Sequence, residues 1–326
     1  MSKILISGGA GFIGGNYVRR LLTGAYGPVP DEVVVLDKLT YAGNLDNLAP
    51  VASHPSYRFV QGDIADSALL ATLLTDTAAV VNFAAETHVD RSIDSSAAFV
   101  DTNVVGTQRL LEAVRQAGVP RMVHVSTDEV YGSIDEGSWT ESWPLEPNSP
   151  YAASKASADL MVRAYARTHG LNVSITRCSN NYGPYQYPEK VIPLFVTTLL
   201  GGGSVPLYGD GLNVRDWLHV DDHCRGISLV LDKGLPGEAY NIGGGQELTN
   251  RQLTGLLLEA CGADWSQVRQ VPDRKGHDRR YSLDDTKLRA LGYRPGTAFT
   301  QGLAKTVAWY RDNPSWWRPL LAAAAA

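Results

Sequence analysis

A glycine-rich turn near the amino terminus constrains the fold more than any other feature of this 326-residue chain. A short apolar run, residues 4–6, leads directly into GGAGFIG. Its glycines, Gly8, Gly11 and Gly14, lie three residues apart, and a helical pattern follows through Leu22. Glycine lets the backbone approach a pyrophosphate, and the unpaired N–H groups of a helix N-terminus bind it. The turn therefore predicts a strand–turn–helix unit that binds a dinucleotide.

A second apolar run ends in a residue that suits the adenosine half of such a cofactor. The strand predicted at 33–36 ends at Asp37, at a suitable distance from the glycines for its carboxylate to accept hydrogen bonds from a ribose. This favours NAD over NADP. Lys38 leaves the alternative open, because a basic residue there could meet a 2′-phosphate, although no Arg accompanies it. A further strand predicted at 80–83 is followed by two alanines that leave room for a cofactor.

The stretch 126–155 carries the candidate chemistry. It opens with STDEVYG at the end of an apolar strand and closes with YAASK at the start of a predicted helix. Asp128 and Glu129 should thus emerge at the carboxyl edge of the sheet, where open α/β sheets bind ligands. Tyr151 and Lys155 are four residues apart and share one helix face. We expect the nearby ammonium to lower the pKa of the phenol, so that it can act as a base near neutrality.

These motifs resemble those of a known enzyme family. A Ser or Thr at a strand end, followed by Tyr-x-x-x-Lys, is typical of the short-chain dehydrogenases/reductases, and the sequence resembles their extended branch. The pair Asp128-Glu129 narrows the resemblance to the nucleotide-sugar 4,6-dehydratases, most closely to members that act on dTDP-glucose. It covers nearly the whole chain, from the glycine turn to Tyr281. It implies an α/β fold, a Rossmann-type doubly wound parallel sheet with a smaller, discontinuous C-terminal substrate domain.

The boundaries of the two domains follow from changes in composition. After a strand predicted at 173–177, the segment 180–190, NNYGPYQYPEK, is predicted to be a loop without regular structure that contacts substrate. The chain then returns to the sheet at 239–242. We predict an NAD-binding domain of 1–178 plus 218–244, a nucleotide-sugar-binding domain of 179–217 plus 245–321, and a low-complexity tail at 322–326.

The resemblance assigns roles to the central residues. Tyr151 would remove the proton of the sugar C4 hydroxyl, Thr127 would bond that oxygen, and Lys155 would hold the phenolate and the cofactor ribose. Glu129 would remove the C5 proton and Asp128 would protonate the departing C6 hydroxyl. An Asp that stays protonated at neutral pH needs a raised pKa, which burial and an adjacent negative charge can supply.

Motifs and resemblance together define the candidate contacts. The cofactor contacts are Gly8, Gly11, Phe12, Ile13, Gly14, Asp37, Lys38, Leu39, Thr40, Asp63, Ile64, Phe83, Ala84, Ala85, Tyr151, Lys155 and Asn181. The substrate contacts are Thr87, Thr127, Asn180, Lys190, Val191, Pro206, Tyr208, Arg215, Asn250, Arg274 and His277. No metal site is predicted.

Several of these residues have a plainer alternative. Asp63 would meet the adenine by resemblance, but it could instead cap the helix after it. Asn250 is a base or phosphate contact by resemblance, or part of a helix-capping turn. His88 could be a switchable acid, but we favour a structural or substrate-contacting role.

Basic residues of the C-terminal part raise a similar choice. Arg215 suits diphosphate oxygens through its planar guanidinium, or it forms a surface ion pair with Asp216. The segment 274–284 is a local cationic patch in an acidic chain, and we expect Arg274 and His277 to meet a diphosphate there, the alternative being a solvated charged loop. The helix predicted at 300–311 and the pair Trp316-Trp317 indicate packing.

Charge and cysteine usage exclude other classes of protein. The net charge of −5 argues against nucleic acid as a partner, and no apolar run is long enough to span a bilayer. The first strand begins near Lys3, which leaves no room for a signal peptide. The cysteines, Cys178, Cys224 and Cys261, lack the spacing of metal ligands. We expect a cytoplasmic protein with reduced thiols.

Two helices are long enough to bury more than one face. A single amphipathic helix is predicted at 95–118, with a stripe that begins at Val100, and a second helix at 151–170 has a stripe of small residues with Leu160. The resemblance implies a homodimer in which these helices form a four-helix bundle, whereas simple packing on the sheet is the plainer reading. An epimerase on the same scaffold, or a non-catalytic NAD sensor, remains an alternative function.

Overall fold

A computed structural model describes residues 2–273 and 276–325 of the chain. Its strands are β1 (Lys3–Ser7), β2 (Glu32–Asp37), β3 (Tyr57–Gln61), β4 (Thr77–Asn82), β5 (Met122–Thr127), β6 (Val173–Cys178), β7 (Asn180–Tyr182), β8 (Val205–Tyr208), β9 (Val214–His219), β10 (Ala239–Ile242), β11 (Glu247–Thr249) and β12 (Val268–Val271). Seven of them form one parallel sheet in the order β10-β6-β5-β4-β1-β2-β3. The predicted doubly wound sheet is therefore confirmed.

The helices cover the central sheet on both faces or pack on the smaller sheets outside it. They are α1 (Phe12–Leu22), α2 (Ser67–Leu73), α3 (Val89–Asp94), α4 (Ala97–Phe99), α5 (Thr107–Ala117), α6 (Pro150–His169), α7 (Val191–Leu200), α8 (Val220–Lys233), α9 (Asn250–Cys261), α10 (Thr286–Ala290), α11 (Phe299–Asp312) and α12 (Pro314–Ala325). The strands β5 and β6 are buried along their whole length, as expected for parallel strands covered on both faces. No helix of the described ranges is long and apolar enough to cross a membrane.

The order of the strands places the ligand cleft. The first strand, β1, lies between β2 and β4, so that the connections on its two sides run in opposite directions. Such a switch point opens a crevice at the carboxyl ends of the strands. The glycine turn after β1 and the two alanines after β4 both lie at this edge.

Local signals set the start and the end of α6, which carries two candidate catalytic residues. The Ser149 hydroxyl accepts the N–H of Ala152 at 3.1 Å, and Pro150 occupies the first helical position. The helix ends at Gly170, which adopts φ 65°. The cap places Tyr151 in the first turn and Lys155 one turn later.

Residues beyond β6 form smaller layers outside the central sheet. The sheets β11-β9-β7 and β12-β8 share an apolar cluster with α7, α9, α11 and α12, which includes Trp217 and Tyr310. The segment 239–242 is a strand of the central sheet beside β6, as predicted. The predicted domain boundary at 217/218 falls inside β9, and the division itself remains a proposal.

The helix predicted at 95–118 is not a single regular helix. Between α4 and α5 the chain forms a π-helical segment, Val100–Gly106. The wider turn places the buried Asn103 amide against Glu86, whose backbone N–H and carbonyl it bonds at 2.8 and 3.0 Å. Val100 is 46 % exposed, so the predicted stripe does not pack wholly on the sheet.

Two further segments differ from expectation. The segment 180–190 is not wholly irregular, because its first residues pair with β9 as β7. At the other end, α12 begins at Pro314 and continues through Ala325, so residues 322–325 are helical rather than a separate tail. Trp316 and Trp317 are buried in this helix, as the packing prediction expects.

Candidate active site

A cleft of about 520 Å³ runs along the carboxyl edge of the central sheet. It brings together the predicted cofactor, catalytic and substrate residues from segments far apart in the sequence, with two exceptions. Leu39 does not line the cleft, because its backbone adopts φ 57° and its side chain packs against the core. Arg274 lies outside the described residues.

The glycine turn is required by close approaches of the backbone. A Cβ atom on Gly8, which has φ 71°, would lie 2.5 Å from the backbone N of Ala84, and one on Gly14 would lie 2.3 Å from the Gly8 carbonyl oxygen. Gly11 has only one such neighbour, at 3.4 Å, and borders the cleft. It precedes α1 without a side-chain cap, so the first N–H groups of the helix are available to an anion. This geometry fits the pyrophosphate of a dinucleotide.

Asp37 ends β2 at the adenosine end of the cleft. Its carboxylate accepts the backbone N–H groups of Ala10 at 2.9 Å and Leu39 at 2.8 Å. Burial raises the pKa of Asp37, and the two N–H groups oppose that shift. A carboxylate held in this way keeps lone pairs for the hydroxyls of a ribose.

Lys38 and Asp63 form a pair beside it. The ammonium lies 2.8 Å from an Asp63 oxygen, so its charge already has a partner. Asp63 does not cap the next helix, because Asp66 accepts the Leu69 N–H there at 3.0 Å. The capping alternative for Asp63 is therefore wrong, and its side chain borders the cleft where the resemblance predicts the adenine.

Asp128 lies just past the end of β5, in a short 3₁₀ turn. Its side chain is 2 % exposed, and its Oδ1 accepts the Thr127 hydroxyl at 3.3 Å. The other oxygen, Oδ2, has no hydrogen-bond partner among the described residues. Burial raises the pKa of Asp128 well above its ordinary value, with Glu129 and Asp216 adding to the shift and Arg215 opposing it. A protonated Asp128 facing the cleft is what a general acid needs.

Tyr151 and Lys155 are both buried at the floor of the cleft. The Lys155 ammonium donates to the Val125 carbonyl at 2.8 Å, and burial lowers the pKa of Lys155 to about 8. The pKa of Tyr151 is raised well above its ordinary value, first by burial and then by Glu129. The expected lowering by Lys155 is thus not present in this structure, because burial outweighs it and the ammonium is bonded to a carbonyl.

Arg215 on β9 borders the cleft and is buried. Its guanidinium donates to the Asp278 carbonyl at 2.9 Å and stacks 4.1 Å over the Tyr281 ring. Asp216 instead accepts backbone N–H groups of residues 244 and 246, both at 2.8 Å. The surface ion pair considered for Arg215 is therefore wrong, and its planar guanidinium is held at the cleft wall.

The neighbouring candidates also border the cleft. Thr249 forms the cap of α9 as a capping box with Gln252, and Asn250 is the first residue of the helix, so the predicted capping turn is present and its Asn250 also borders the cleft. The N–H of Asn250 donates to Asn213 at 2.9 Å. His277 borders the cleft near Tyr208, with Nδ1 2.6 Å from an oxygen of the exposed Asp273.

Side chains from three loops close one wall of the cleft. The Tyr41 hydroxyl donates to Glu189 at 3.0 Å, and Lys190 donates to the Thr87 carbonyl at 2.9 Å. His88 caps α3 and lies 3.5 Å from Glu189, which agrees with a structural role. Asn180, Asn181 and Val191 also border the cleft.

Sequence reasoning missed the residues that only the loops bring together. Tyr41 has no motif that would have singled it out, and Glu189 lies in the segment 180–190 that is predicted to contact substrate but was not named individually. Asn103 was missed because it lies in the π-helical segment, where it also donates to Ser154 on α6 at 2.8 Å. Among residues 2–273 and 276–325, no three His, Cys, Asp or Glu side chains are placed to hold a metal ion.

Known proteins share this architecture. A family model described as GDP-mannose 4,6 dehydratase matches residues 5–306. A dTDP-glucose 4,6-dehydratase of Streptomyces antibioticus is 62 % identical over 321 residues, which is 98 % of this chain and 95 % of that protein. The crystal structure of DesIV, a dTDP-glucose 4,6-dehydratase from Streptomyces venezuelae with NAD bound, has 68 % identity and a TM-score of 0.96, covering 98 % of this chain and 99 % of its own.

Epimerases are similar at greater distance. The UDP-glucose 4-epimerase of Thermotoga maritima has 34 % identity and a TM-score of 0.87, covering 96 % of this chain and 99 % of its own. The matched model spans nearly all of the chain, and the dehydratases are the more similar relatives. The chain belongs to the GDP-mannose 4,6 dehydratase family, and within it resembles the dTDP-glucose 4,6-dehydratases.

Proposed function

We propose that this protein is a lyase that converts dTDP-glucose to dTDP-4-keto-6-deoxyglucose and water with bound NAD. The observation that carries the proposal is Asp128, a carboxyl group with a raised pKa that borders the same cleft as Glu129, Tyr151 and Lys155. A 4-epimerase needs the tyrosine and the lysine but has no use for an acid beside C6. The relatives named dTDP-glucose 4,6-dehydratase support the same reaction.

The residues at the sheet edge fit NAD. The backbone of the glycine turn and the uncapped start of α1 would hold the pyrophosphate, and Asp37 would bind the adenosine ribose. Lys155 would meet the second ribose. NAD supplies the acceptor for the C4 hydrogen and returns it to C6 later in the same turnover.

The first step is the oxidation at C4. Tyr151, as phenolate, takes the proton of the C4 hydroxyl while Thr127 bonds the same oxygen. Burial makes that phenolate costly, so the ammonium of Lys155 on the same helix face is needed to offset it. The product of this step is a 4-ketone.

The second step is the loss of water. The ketone acidifies the C5 proton because the carbanion left behind is an enolate, so Glu129 can remove it. Asp128 donates its proton to the C6 hydroxyl as the C6–O bond breaks. The remaining 4-keto-5,6-alkene is electrophilic at C6, which would receive the hydride held by the reduced cofactor as a proton returns to C5.

The part of the cleft around Arg215 suits the nucleoside diphosphate. Arg215 offers a fixed planar donor to diphosphate oxygens, and Asn250, Lys190 and His277 border the same space. Because the chain is acidic overall, these local groups must meet the charge of the substrate. We propose dTDP as the preferred nucleotide over UDP and GDP, to be checked by kcat/KM on the three hexoses.

A labelled substrate tests the reaction. With dTDP-glucose deuterated at C4, we expect a product lighter by one water that carries the label at C6 from the same molecule, without reduced cofactor accumulating in solution. Tyr151→Phe is the inactive control. Unchanged mass with inverted configuration at C4 would show an epimerase, and unchanged substrate would show a protein without this activity.

We propose that the protein is a homodimer through residues 95–118 and 151–170. Apolar side chains on these neighbouring helices are exposed, with Leu160 at 54 %, Val100 at 46 % and Val105 at 41 %. Leu160→Glu should yield monomers in sedimentation at micromolar concentration. Leu235→Glu, at a site 61 % exposed elsewhere, is the matched control and should leave the dimer intact. A monomeric wild type contradicts the proposal.

The two-domain division is a further proposal. Two apolar clusters contain residues of the central sheet, whereas a third gathers α7, α9, α11 and α12 around β9. Hydrogen exchange measured with each ligand should show protection by NAD mainly within 1–178 and by dTDP mainly within 179–217 and 245–321. Uniform protection by either ligand alone would contradict the division.

Cytoplasmic residence without a nucleic-acid partner is also proposed. Cys178, Cys224 and Cys261 are free, and the first two are buried. The net charge of −5 favours small anionic ligands met by local cations over a polyanion. Thiol titration of freshly isolated, unfolded protein should find every cysteine reduced. A disulfide in that material would contradict cytoplasmic residence.

A further inference from the structure

A buried ion pair lies one helical turn beyond Lys155. Arg177 Nε on β6 lies 2.8 Å from Asp159 Oδ2 on α6, and the two side chains are 1 % and 0 % exposed. Asp159 does not border the ligand cleft. A buried ion pair is weak evidence for stability, because desolvation of the two charges offsets their attraction. Neither ligand contact nor simple stabilisation therefore accounts for this pair.

Arg177 is held firmly on its other side. Its Nη1 donates to the Tyr131 hydroxyl at 2.7 Å, and that hydroxyl donates to Asn241 on β10 at 2.9 Å. The guanidinium also lies 4.9 Å from the centre of the Tyr131 ring. These contacts fix the position of the carboxylate that Arg177 binds.

The second oxygen of Asp159 is not used by a hydrogen bond. Among the described residues Oδ1 has no hydrogen-bond partner, and His124 Nε2 lies 3.9 Å away. His124 Nδ1 lies 3.1 Å from the Asn82 amide nitrogen, whose companion oxygen accepts the Ser7 hydroxyl at 2.7 Å, so Nδ1 is the acceptor. Burial, and then Lys155, lower the pKa of His124 well below its ordinary value, so the imidazole is neutral.

Burial suppresses the charge of several other groups at this site, because it raises the pKa of the Cys178 thiol, of Tyr151 and of Asp128. Asp159 on α6, His124 on β5 and Cys178 on β6 interact electrostatically with Lys155, and Tyr151 lies on the same face of α6. Asp128 and Glu129 border the same cleft as Lys155, and the ionised Arg177 is the partner of Asp159. Burial lowers the pKa of Lys155 to about 8, and Asp159 is the main group that opposes this shift.

We propose that Asp159, fixed by Arg177, is a positioning residue whose negative charge keeps Lys155 protonated and so sets the upper pH limit of the C4 oxidation. The inference rests on the proposed function for its consequence, although not for the charge state of Lys155. As pH rises through the pKa of Lys155, the ammonium is lost and the Tyr151 phenolate loses its counterion. Without Asp159 that loss should occur at lower pH.

The test separates charge from structure by the choice of variants. Asp159→Asn alone leaves Arg177 buried without its partner, which threatens the fold. The double variant Asp159→Asn/Arg177→Met removes both charges at similar volume. Tyr131→Phe is the matched control, because it removes a buried hydrogen bond of Arg177 and no charge. Melting curves verify that each variant is folded.

The titration of Lys155 is followed by NMR of protein labelled with [ε-¹³C]lysine, with Lys155→Met to assign the signal. We expect the double variant to titrate about one pH unit lower than wild type, at the low end of the about 1–3 units by which an opposite charge nearby shifts a pKa, because the loss of the Arg177 charge partly offsets the loss of Asp159. In the Tyr131→Phe control, Lys155 should titrate at the same pH as in wild type. An unshifted midpoint in the folded double variant overturns the inference.

The pH dependence of kcat gives the functional reading. In the double variant the alkaline limb of the pH profile should shift to lower pH together with the NMR midpoint, so that kcat is about fivefold lower at pH 8 and recovers toward wild type near pH 6. A loss that is equal at every pH shows a structural role and also overturns the inference. If wild type does not dehydrate dTDP-glucose, the proposed function fails, and the NMR titration still decides the charge of Lys155.

Discussion

The two halves of the cleft hold their ligands by different means. The cofactor half is made of backbone, where Gly8 and Gly14 bring main-chain atoms so close that a Cβ atom would lie 2.5 Å and 2.3 Å from its nearest neighbours. The substrate half is made of buried side chains, such as Asp128 and Arg215, from separate segments. The first half should therefore be sensitive to added methyl groups, and the second to lost charges and protons.

Two buried carboxyl groups show the same contrast. Asp37 accepts two backbone N–H groups at 2.9 and 2.8 Å, whereas the one donor to Asp128 within the described part of the chain is a hydroxyl, at 3.3 Å. Burial raises the pKa of both, but only Asp37 has N–H donors that oppose the shift. An anion with donors suits ribose binding, and a carboxyl group without them suits proton donation.

Removing the acid from the substrate half should have the largest effect. In Asp128→Asn we expect the elimination to slow by about 10²–10⁴-fold, because general acid catalysis contributes that much, while C4 oxidation continues. Rapid mixing should show reduced cofactor building up while water loss, followed by mass spectrometry, lags. Water loss at the wild-type rate would remove Asp128 from its assigned role.

The loss of the Arg215 guanidinium should have the next largest effect. Arg215→Met should lower kcat/KM for dTDP-glucose by about 10–150-fold, since a hydrogen bond to a charged group contributes about 1.5–3 kcal/mol. NAD affinity, measured by calorimetry, should not change. Arg279→Met is the control, because Arg279 pairs with Asp210 at the surface. Equal losses in the two variants would mean that Arg215 does not bind the diphosphate.

NAD binding by the cofactor half should be weakened by a single methyl group added to the glycine turn. Gly14→Ala should weaken NAD binding by about 5–150-fold, because overpacking costs about 1–3 kcal/mol and the Gly8 carbonyl cannot move away. Gly255→Ala is the control, since its Cβ atom would meet only Trp265 at 3.6 Å. Unchanged NAD affinity in Gly14→Ala would show that the turn can accommodate a Cβ atom at this position, contrary to the prediction.

The raised pKa of Asp128 should also affect stability. The folded state holds this proton to higher pH than the unfolded chain does, so stability falls as pH rises from about 4, the unfolded value, through the folded value. Asp128→Asn cannot lose a proton, so its Tm should exceed that of wild type at pH 8, and the difference should vanish toward pH 4. A Tm difference independent of pH would contradict the raised pKa.

The smallest effect is expected for the exposed charge of the cofactor half. Lys38→Ala should change NAD affinity by less than about fivefold, because an ion pair as exposed as Lys38–Asp63 contributes at most about 1 kcal/mol. NADP binding, measured in parallel, should remain weak in both proteins. If wild type binds NADP tightly and the variant does not, Lys38 binds a 2′-phosphate and the predicted preference for NAD is wrong.

Local patterns in the sequence determined much of the fold and of the site. The turn from β1 into α1, the strand ends at Asp37 and Thr127, and the helix-face pair Tyr151 and Lys155 depend on residues close together in the chain. Periodicity, caps and glycine spacing are short-range properties, so these elements could be predicted within a few residues. The irregular helix near Asn103 could not, because the π-helical segment is shaped by its contact with Glu86.

Only the tertiary structure decided the protonation and the partners of each ionisable side chain. Asp128 and Asp37 look alike in sequence, and burial, neighbouring charges and N–H donors from other segments separate them. The stacking of Arg215 on Tyr281 and the ion pair of Asp159 with Arg177 likewise join residues with no shared motif. Desolvation and charge–charge interactions depend on distances in space, and these distances cannot be read from separations along the chain.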